Sequence, residues 1–565
     1  MLPWSSNLIA ILIWSLQYAI FINGEDLLRT RGIHFRPQEF FPQPDRSSVA
    51  SNNPLFIDMP IDHFSGDGDR RTFKNRYWVN ETYYKAGGPV FIFDSGEQNA
   101  QPLLPYYLQE YHGLSAVMRL AKRYSGLAIL WEHRFYGASL PFPVNGNTTA
   151  DQWKYLTTEQ ALEDVVYFSN NLNVKGLDSA LLKPNVAPWV WVGGSYPGVR
   201  GALLRQRNPS IIHAAWVSSA PVEAQVDMAS YYKAAERSLA RNCSNDWVAV
   251  TKFVDDTLMN SKNTTQVNEL KFRLLKARLS GPGGNETGAD GLTVAQAANE
   301  SNVNIASILM DPLDFYQYYG PVTVPPFCEK LETRNSTATP SEGGIAATSG
   351  IQAALDAFLV ALAELDYAAI AALQPDDPVQ DRSWMWQYCS EYGFYQRGDP
   401  NNPRSIETSL LSLDLFQQQC NETFPFPELL PPSPEVGNVN KYGGWNMNPS
   451  NTLWTNGEFD PWRTLGLASI ENNSPHLQSS LVVPPCNEVP TGAGNSTFFG
   501  LVHSGMVHVS DLRVLLTPDA NHSHFQTVGF YSPVAQEPFY SGLALFQLAL
   551  DEWLQKSDDC FKGEP

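Results

Sequence analysis

An α/β architecture, built on a mostly parallel sheet and interrupted by a large helical insertion, is the fold class this sequence predicts. Three observations carry it. Up to residue 221, short apolar runs that end in polar or glycine-rich turns alternate with segments of helical periodicity. From 222 to 445 that alternation gives way to amphipathic helical segments separated by loops rich in Gly, Asn and Pro. The α/β texture then resumes near Thr452-Leu453-Trp454. A chain of 565 residues also exceeds the usual size of one core, so a large domain with an insertion, or two domains, is expected.

The elements follow in order. Residues 1–24 read as an export signal, with Leu8 to Trp14 as apolar core fading by Asn23-Gly24 before Glu25-Asp26. No Lys or Arg precedes that core and no Ala-x-Ala cleavage pattern follows it. An uncleaved anchor is the weaker reading, because Ser15 and Gln17 interrupt a run that would need about 20 apolar residues to span a bilayer. Residues 25–55 lack periodicity and read as an extended arm opening the first α/β part, 25–221. Val90 to Phe93 is a buried strand ending at Asp94-Ser95-Gly96, and Leu127 to Trp131 is a second, with one helix expected from Leu103 to Arg123 between them. Trp189 to Val192 runs into Gly193-Gly194-Ser195, and Ala214 to Val217 ends at Ser218-Ser219-Ala220-Pro221. Strands alternating with helices imply the parallel sheet. Within the insertion, Ile351, Leu355, Leu359, Leu362 and Leu365 mark one helical face. The final part, 446–565, closes with a helix expected from Ser541 to Lys556.

Acidic residues outnumber basic ones, 58 to 38, for a net charge of -20. Such a surface disfavours nucleic acid and anionic membranes as partners and favours solubility. Asn-x-Ser/Thr occurs at Asn80, Asn147, Asn242, Asn263, Asn285, Asn299, Asn335, Asn421, Asn472, Asn495 and Asn521, a high count for a chain that never leaves the cytosol. The six cysteines, Cys243, Cys328, Cys389, Cys420, Cys486 and Cys560, contain no Cys-x-x-Cys pair, so disulfides are favoured over zinc, with the connectivity open. A secreted, extracellular product is expected, with the vacuolar or lysosomal lumen as the other destination.

Val192-Gly193-Gly194-Ser195-Tyr196-Pro197-Gly198 stands between an apolar strand and a run of helix formers. A nucleophile elbow needs this arrangement: a serine at a sharp strand-to-helix turn, flanked by residues small enough to admit neighbouring backbone. Tyr196 would then lend its backbone N–H to the oxyanion hole. Pro197 breaks the usual Gly-x-Ser-x-Gly; it lacks only an N–H that an early helical position leaves unpaired, but it biases Tyr196 away from helical dihedrals. In the chain order Ser, acid, His, the partners must follow the serine. Asp460, just beyond a short strand, suits the orienting carboxylate. His503, His508, His522 and His524 are the candidate bases, a choice that spacing alone leaves open, while His133 precedes the serine and is out of order. No metal constellation and no phosphate loop with a lysine is present in the sequence, so no metal or cofactor is expected.

Several separated stretches together resemble the family of lysosomal Pro-Xaa carboxypeptidase and its dipeptidyl peptidase relative, especially its extracellular fungal members. They are Glu132 to Phe142, Tyr155 to Asp164, Gly193-Gly194-Ser195-Tyr196, Ser218 to Pro221, Asn456-Gly457 with Asp460-Pro461-Trp462, and His508 with Asp511-Leu512-Arg513. The resemblance runs from about 55 to 555 and is faint across the insertion. It implies an α/β-hydrolase with a helical cap, cleavage of peptides after proline, a triad of Ser195, Asp460 and His508, and Trp462 as a wall of the proline pocket. Glu97 would orient a loop or meet a substrate amine. Three positions depart from the pattern: Pro197 and Gln98 stand where relatives carry glycine, and Val509 replaces a second histidine.

The expected activity is therefore that of a proline-directed serine peptidase, acting on peptides or proteins that contain proline, with no nucleic-acid or membrane partner and a homodimer allowed. A secreted esterase or lipase on the same scaffold, or a non-catalytic binding protein of hydrolase fold, are the alternatives, since triad chemistry alone does not tell ester from amide. Exo- and endopeptidase action stay open. Activity is expected to extend to about pH 5 by resemblance, although a histidine base with a pKa near ~6.5 is mostly protonated there.

Overall fold

The protein, described here from a computed structural model, is defined for residues 53–561 apart from 67, 109–114, 282–285, 315, 334–340, 366–376, 426–429, 491–495, 513–515, 519–524, 528–536 and 556–559. The export signal at 1–24, the sequons at Asn285, Asn335, Asn495 and Asn521, and His522 and His524 lie outside the described residues.

Nine strands form the main sheet: β1 (Leu55–Pro60), β2 (Thr72–Asn80), β3 (Val90–Asp94), β4 (Leu127–Trp131), β5 (Trp189–Gly194), β6 (Ala214–Ser218), β7 (Thr452–Gly457), β8 (Gln478–Ser480) and β9 (Thr497–His503). Their order across the sheet is β1-β2-β4-β3-β5-β6-β7-β9-β8. β2 pairs antiparallel with both β1 and β4, and every other neighbouring pair is parallel. The sheet is therefore mostly parallel, as the alternation predicts, in the α/β-hydrolase arrangement that the resemblance implies. β3, β4 and β6 are buried at every position, which explains why they read as continuous apolar runs rather than alternating ones.

The connections fix where a ligand can enter. From β3 the chain crosses to β4 on one side, then returns across β3 to β5 and continues to β6 on the other. The carboxyl ends of β3 and β5 thus flank a topological switch point, where the loops diverge and leave a crevice. The single helix expected over 103–123 is replaced by a short turn at Leu104–Tyr107 and the helix α1 (Ala116–Tyr124). Ser115 is the reason for the second start, since its hydroxyl accepts the Met118 N–H at 3.2 Å. α2 (Thr158–Asn171) precedes β5, and α3 (Tyr196–Arg207) follows it directly.

The chain divides into two compact units. One contains the main sheet and comprises Phe41–Val226, Asp377–Phe394 and Gln417–Pro565; among described residues, the other comprises Asp227–Asp376 and Tyr395–Phe416. The expected insertion, 222–445, is thus too generous: its segments 377–394 and 417–445 belong to the sheet-bearing unit. Hydrogen bonding and ring packing account for this. α7 (Pro378–Gln387) donates from Ser383 Oγ to the Phe135 carbonyl and from Trp386 Nε1 to the Leu156 carbonyl. Trp386 also stacks on Trp153 at 5.3 Å, and Phe424 meets Trp153 edge-on.

The second unit is helical, with α4 (Arg241–Asn260), α5 (Thr264–Ser280) and α6 (Ile351–Leu362) among its elements. In α6 the buried stripe is Ala354, Leu355, Ala357, Phe358, Ala361 and Leu362, while Ile351 and Leu359 are half-buried and Leu365 falls beyond the helix. The last helix, α8 (Glu537–Trp553), lies near the expected place and buries Leu550 and Trp553 in the sheet-bearing unit. All six cysteines pair, as Cys243–Cys328, Cys389–Cys420 and Cys486–Cys560. No described helix is long and apolar enough to cross a membrane.

Candidate active site

β5 delivers Ser195 to the switch point. Its residues Trp189 to Val192 are buried, and the chain turns into α3 immediately after Gly194. Ser195 has φ 63° and ψ -131°, outside the wells that L-residues prefer. Such strain persists only where surroundings over-determine it. Here the Ser195 N–H is held by the Ser218 carbonyl at 2.8 Å, at the end of β6. Ser195 itself is only half-buried, so its hydroxyl is presented rather than packed away.

Pro197 does not prevent the elbow. It occupies the second position of α3, where its missing N–H is one of the unpaired donors of a helix start. Its ring lies against Gly96, in the loop after β3: a Cβ on Gly96 would come within 2.3 Å of Pro197 Cγ, and Gly96 has φ +59°. Glycine at 96 is therefore demanded twice, by space and by backbone conformation. Asp94 anchors the same loop, accepting the Gly96 N–H at 3.1 Å and pairing with Arg200 at 2.5 Å.

Asp460 and His508 form a buried pair. Asp460 follows β7 and caps the turn Pro461–Leu465, its Oδ1 accepting the Trp462 N–H at 2.9 Å while Oδ2 accepts from Asn456 Nδ2 at 3.0 Å. The His508 Nδ1 stands 2.9 Å from Oδ1 and 3.0 Å from Oδ2. A carboxylate only accepts, so Nδ1 carries the hydrogen and Nε2 becomes the proton acceptor. Both side chains are fully buried. Val509 ties this pair to the elbow: its N–H donates to Ser219 Oγ at 2.9 Å, and its side chain covers Gly194 so closely that a Cβ there would lie 2.5 Å from Val509 Cγ1. Val509 adopts φ +52°, a rare conformation for a β-branched residue. His503 belongs to a different pair, 3.6 Å from Asp511.

Trp462 is buried, its ring 6.2 Å from that of His508 and edge-on to Phe394 at 5.0 Å. Phe394 was not expected. It lies 68 residues before Trp462 and carries no motif, so the sequence offers no signal for it. Glu97 is buried beyond the β3 loop, and desolvation pushes its carboxyl up to about 8, so it is mainly protonated at neutral pH. Its Oε2 has no hydrogen-bond partner among the described residues.

Among the described sequons, Asn147, Asn263, Asn299, Asn421 and Asn472 are exposed and Asn242 is half-buried. Asn80 differs from these: its side chain is buried and its Nδ2, the atom a glycan would occupy, donates to the Leu108 carbonyl at 2.8 Å.

A family model described as serine carboxypeptidase S28 matches residues 59–482. The chain is 29% identical over 443 residues to a probable extracellular serine carboxypeptidase of Arthroderma benhamiae, covering 73% of this chain and 59% of that relative's length. It is 27% identical over 473 residues to the serine protease vicPb of Bipolaris victoriae, covering 78% of this chain and 83% of the relative. With the human thymus-specific serine protease the identity is 27% over 505 residues, or 85% of this chain and 90% of the relative.

Proposed function

Because the chain belongs to the serine carboxypeptidase S28 family and is a serine-type peptidase, we propose that it cleaves peptides on the carboxyl side of proline through Ser195, Asp460 and His508. The observation that carries this reading is the buried Asp460–His508 pair, linked to the nucleophile turn by the contact of Val509 with Gly194.

His508 Nε2 takes the Ser195 proton as Oγ attacks the carbonyl carbon, and Asp460 stabilises the imidazolium that forms. Negative charge then develops on the former carbonyl oxygen. The Tyr196 N–H, first in α3, faces that charge with the favourable end of the helix dipole behind it. Collapse breaks the C–N bond, and the amine leaves with the proton held by His508. Water, deprotonated by the same nitrogen, releases the acyl group and restores the serine. Trp462 lies beside His508 and is packed edge-on, at 75°, against Phe394, an aromatic setting that can bury a rigid prolyl ring at small entropic cost.

Export to an oxidising compartment fits three disulfides, and the Arthroderma benhamiae relative is named as extracellular.

Ser195→Ala tests the core of the proposal. Turnover of a proline peptide should fall by several powers of ten, secretion should persist, and adding His508→Ala should cost little more because the two act as a unit. Retained turnover in Ser195→Ala would end the serine-peptidase mechanism. Indifference of the parent enzyme to proline in matched Pro and Ala peptides would leave the mechanism standing and remove the specificity.

A further inference from the structure

Behind the nucleophile turn, four buried side chains form one hydrogen-bonded chain, and a single main-chain carbonyl orients every proton in it. His133 Nδ1 lies 2.6 Å from the Arg134 carbonyl, an oxygen that can only accept, so this nitrogen carries a hydrogen. Burial holds the His133 pKa well below the usual histidine range, so the ring is neutral and its Nε2 accepts. The Tyr196 hydroxyl, 2.9 Å away, must then donate to Nε2. With that hydrogen committed, the Tyr196 oxygen accepts from Gln387 Nε2 at 2.8 Å. The amide is thereby turned so that its Oε1 receives the Tyr136 hydroxyl. Around this chain the Tyr196 ring is packed edge-on by Trp384 at 5.5 Å and Tyr392 at 5.6 Å.

None of these side chains is needed for proton transfer at Ser195. Their common target is Tyr196, whose backbone N–H the mechanism uses. That peptide group is poorly held by local preference, because it stands between the strained Ser195 and Pro197, and a proline disfavours helical dihedrals in the residue before it. Oxyanion stabilisation depends on a donor fixed in advance of the reaction. We infer that Gln387 and His133 are positioning residues, which clamp the Tyr196 side chain and so hold the first N–H of α3 toward the acyl oxygen. This rests on the serine-peptidase reading above. It also gives a task to the segment that returns from the insertion to the sheet-bearing unit, since α7 ends at Gln387.

The experiment exploits the donor pattern. In Gln387→Glu the introduced carboxyl, when protonated, offers one O–H to Tyr196 and one carbonyl to Tyr136, as the amide does. Once ionised it can only accept, so Tyr196 must turn toward it and His133 Nε2 loses its donor. Asp94, Glu97, Arg200, Glu391 and Tyr392 face this cluster, with Arg134 and Asp164 acting on His133, and parent and variant share all of them. The variant's kcat should approach the parent's at about pH 5 and fall at least about tenfold below it by about pH 8, at constant KM. Affinity for a peptidyl boronate, which mimics the tetrahedral state, should weaken in parallel. A variant-to-parent kcat ratio that is flat with pH overturns the inference. Should the variant not fold, Tyr196→Phe decides: it keeps the ring and should lose about tenfold in kcat per folded molecule at every pH, whereas a parent-like kcat overturns the inference. Activity surviving Ser195→Ala would instead indict the underlying mechanism.

Discussion

Gly194→Ala probes how tightly the base is coupled to the nucleophile. The added Cβ would stand 2.5 Å from Val509 Cγ1 and 3.2 Å from Cγ2, but 3.5 Å from Val509 Cβ. Non-bonded carbons prefer about 3.5–4.0 Å, so Val509 must retreat by roughly 1 Å. It has few ways to do so. Its χ1 is stiff, its φ is already +52°, and its N–H is held by Ser219 Oγ. The displacement therefore passes along the chain to His508, its neighbour. Overpacking of this kind costs about 1–3 kcal/mol in stability, and a base misplaced by about 1 Å costs up to ~100-fold in rate. Because only the two methyl groups clash, Val509→Ala should relieve the strain, leaving an ordinary Cβ contact. Four proteins answer the question: parent, both single variants and the double variant, each measured for kcat/KM and for urea midpoint. The double variant should recover most of the activity that Gly194→Ala loses, giving a coupling energy well outside additivity. A parent-like Gly194→Ala, or a double variant no better than it, would refute the claim that Val509 links the two halves of the site.

Trp462→Ala should lower kcat/KM for a proline peptide by about 1–3 kcal/mol more than for its alanine analogue, while fluorophosphonate labelling of Ser195 persists; equal losses would make Trp462 a fold residue. The Glu97 carboxyl, raised to about 8 from 4.5, keeps a proton in the folded state that the unfolded chain releases. Its contribution is therefore fully present below 4.5 and is lost as pH rises through 8, with a slope of about 1.4 kcal/mol per pH unit inside that window. Urea midpoints of the parent and of Glu97→Gln should diverge across it, and parallel curves would mean that Glu97 is ionised in the fold. Glycopeptide mapping of secreted protein should find Asn80 unmodified while exposed sites such as Asn147 and Asn472 carry glycan; occupancy at Asn80 would contradict its hydrogen bond to Leu108.

What could be read from the chain alone was whatever depends on neighbours in sequence. Buried parallel strands announce themselves as apolar runs, because both faces of β3, β4 and β6 are covered. The turn from β5 into α3 is likewise local, and so is the pairing of Asp460 with the helical turn that it caps. The order Ser, Asp, His then narrows ten histidines to a few, and resemblance selects His508 among them. Tertiary structure decided the rest. Disulfide pairing is a matter of which cysteines meet, over separations of 85, 31 and 74 residues, and spacing does not encode it. The boundary of the insertion shifted because periodicity reports helix and says nothing of what a helix packs against, so 377–394 reads like its surroundings yet joins the sheet-bearing unit. Gln387 reaches Tyr196 across 191 residues, and the chain order that sets His133 aside as a base has no means of showing that its ring meets the tyrosine after the nucleophile. A side chain that acts by holding another residue shows nothing of that role in its own sequence, because its chemistry is ordinary and only its neighbours make it matter.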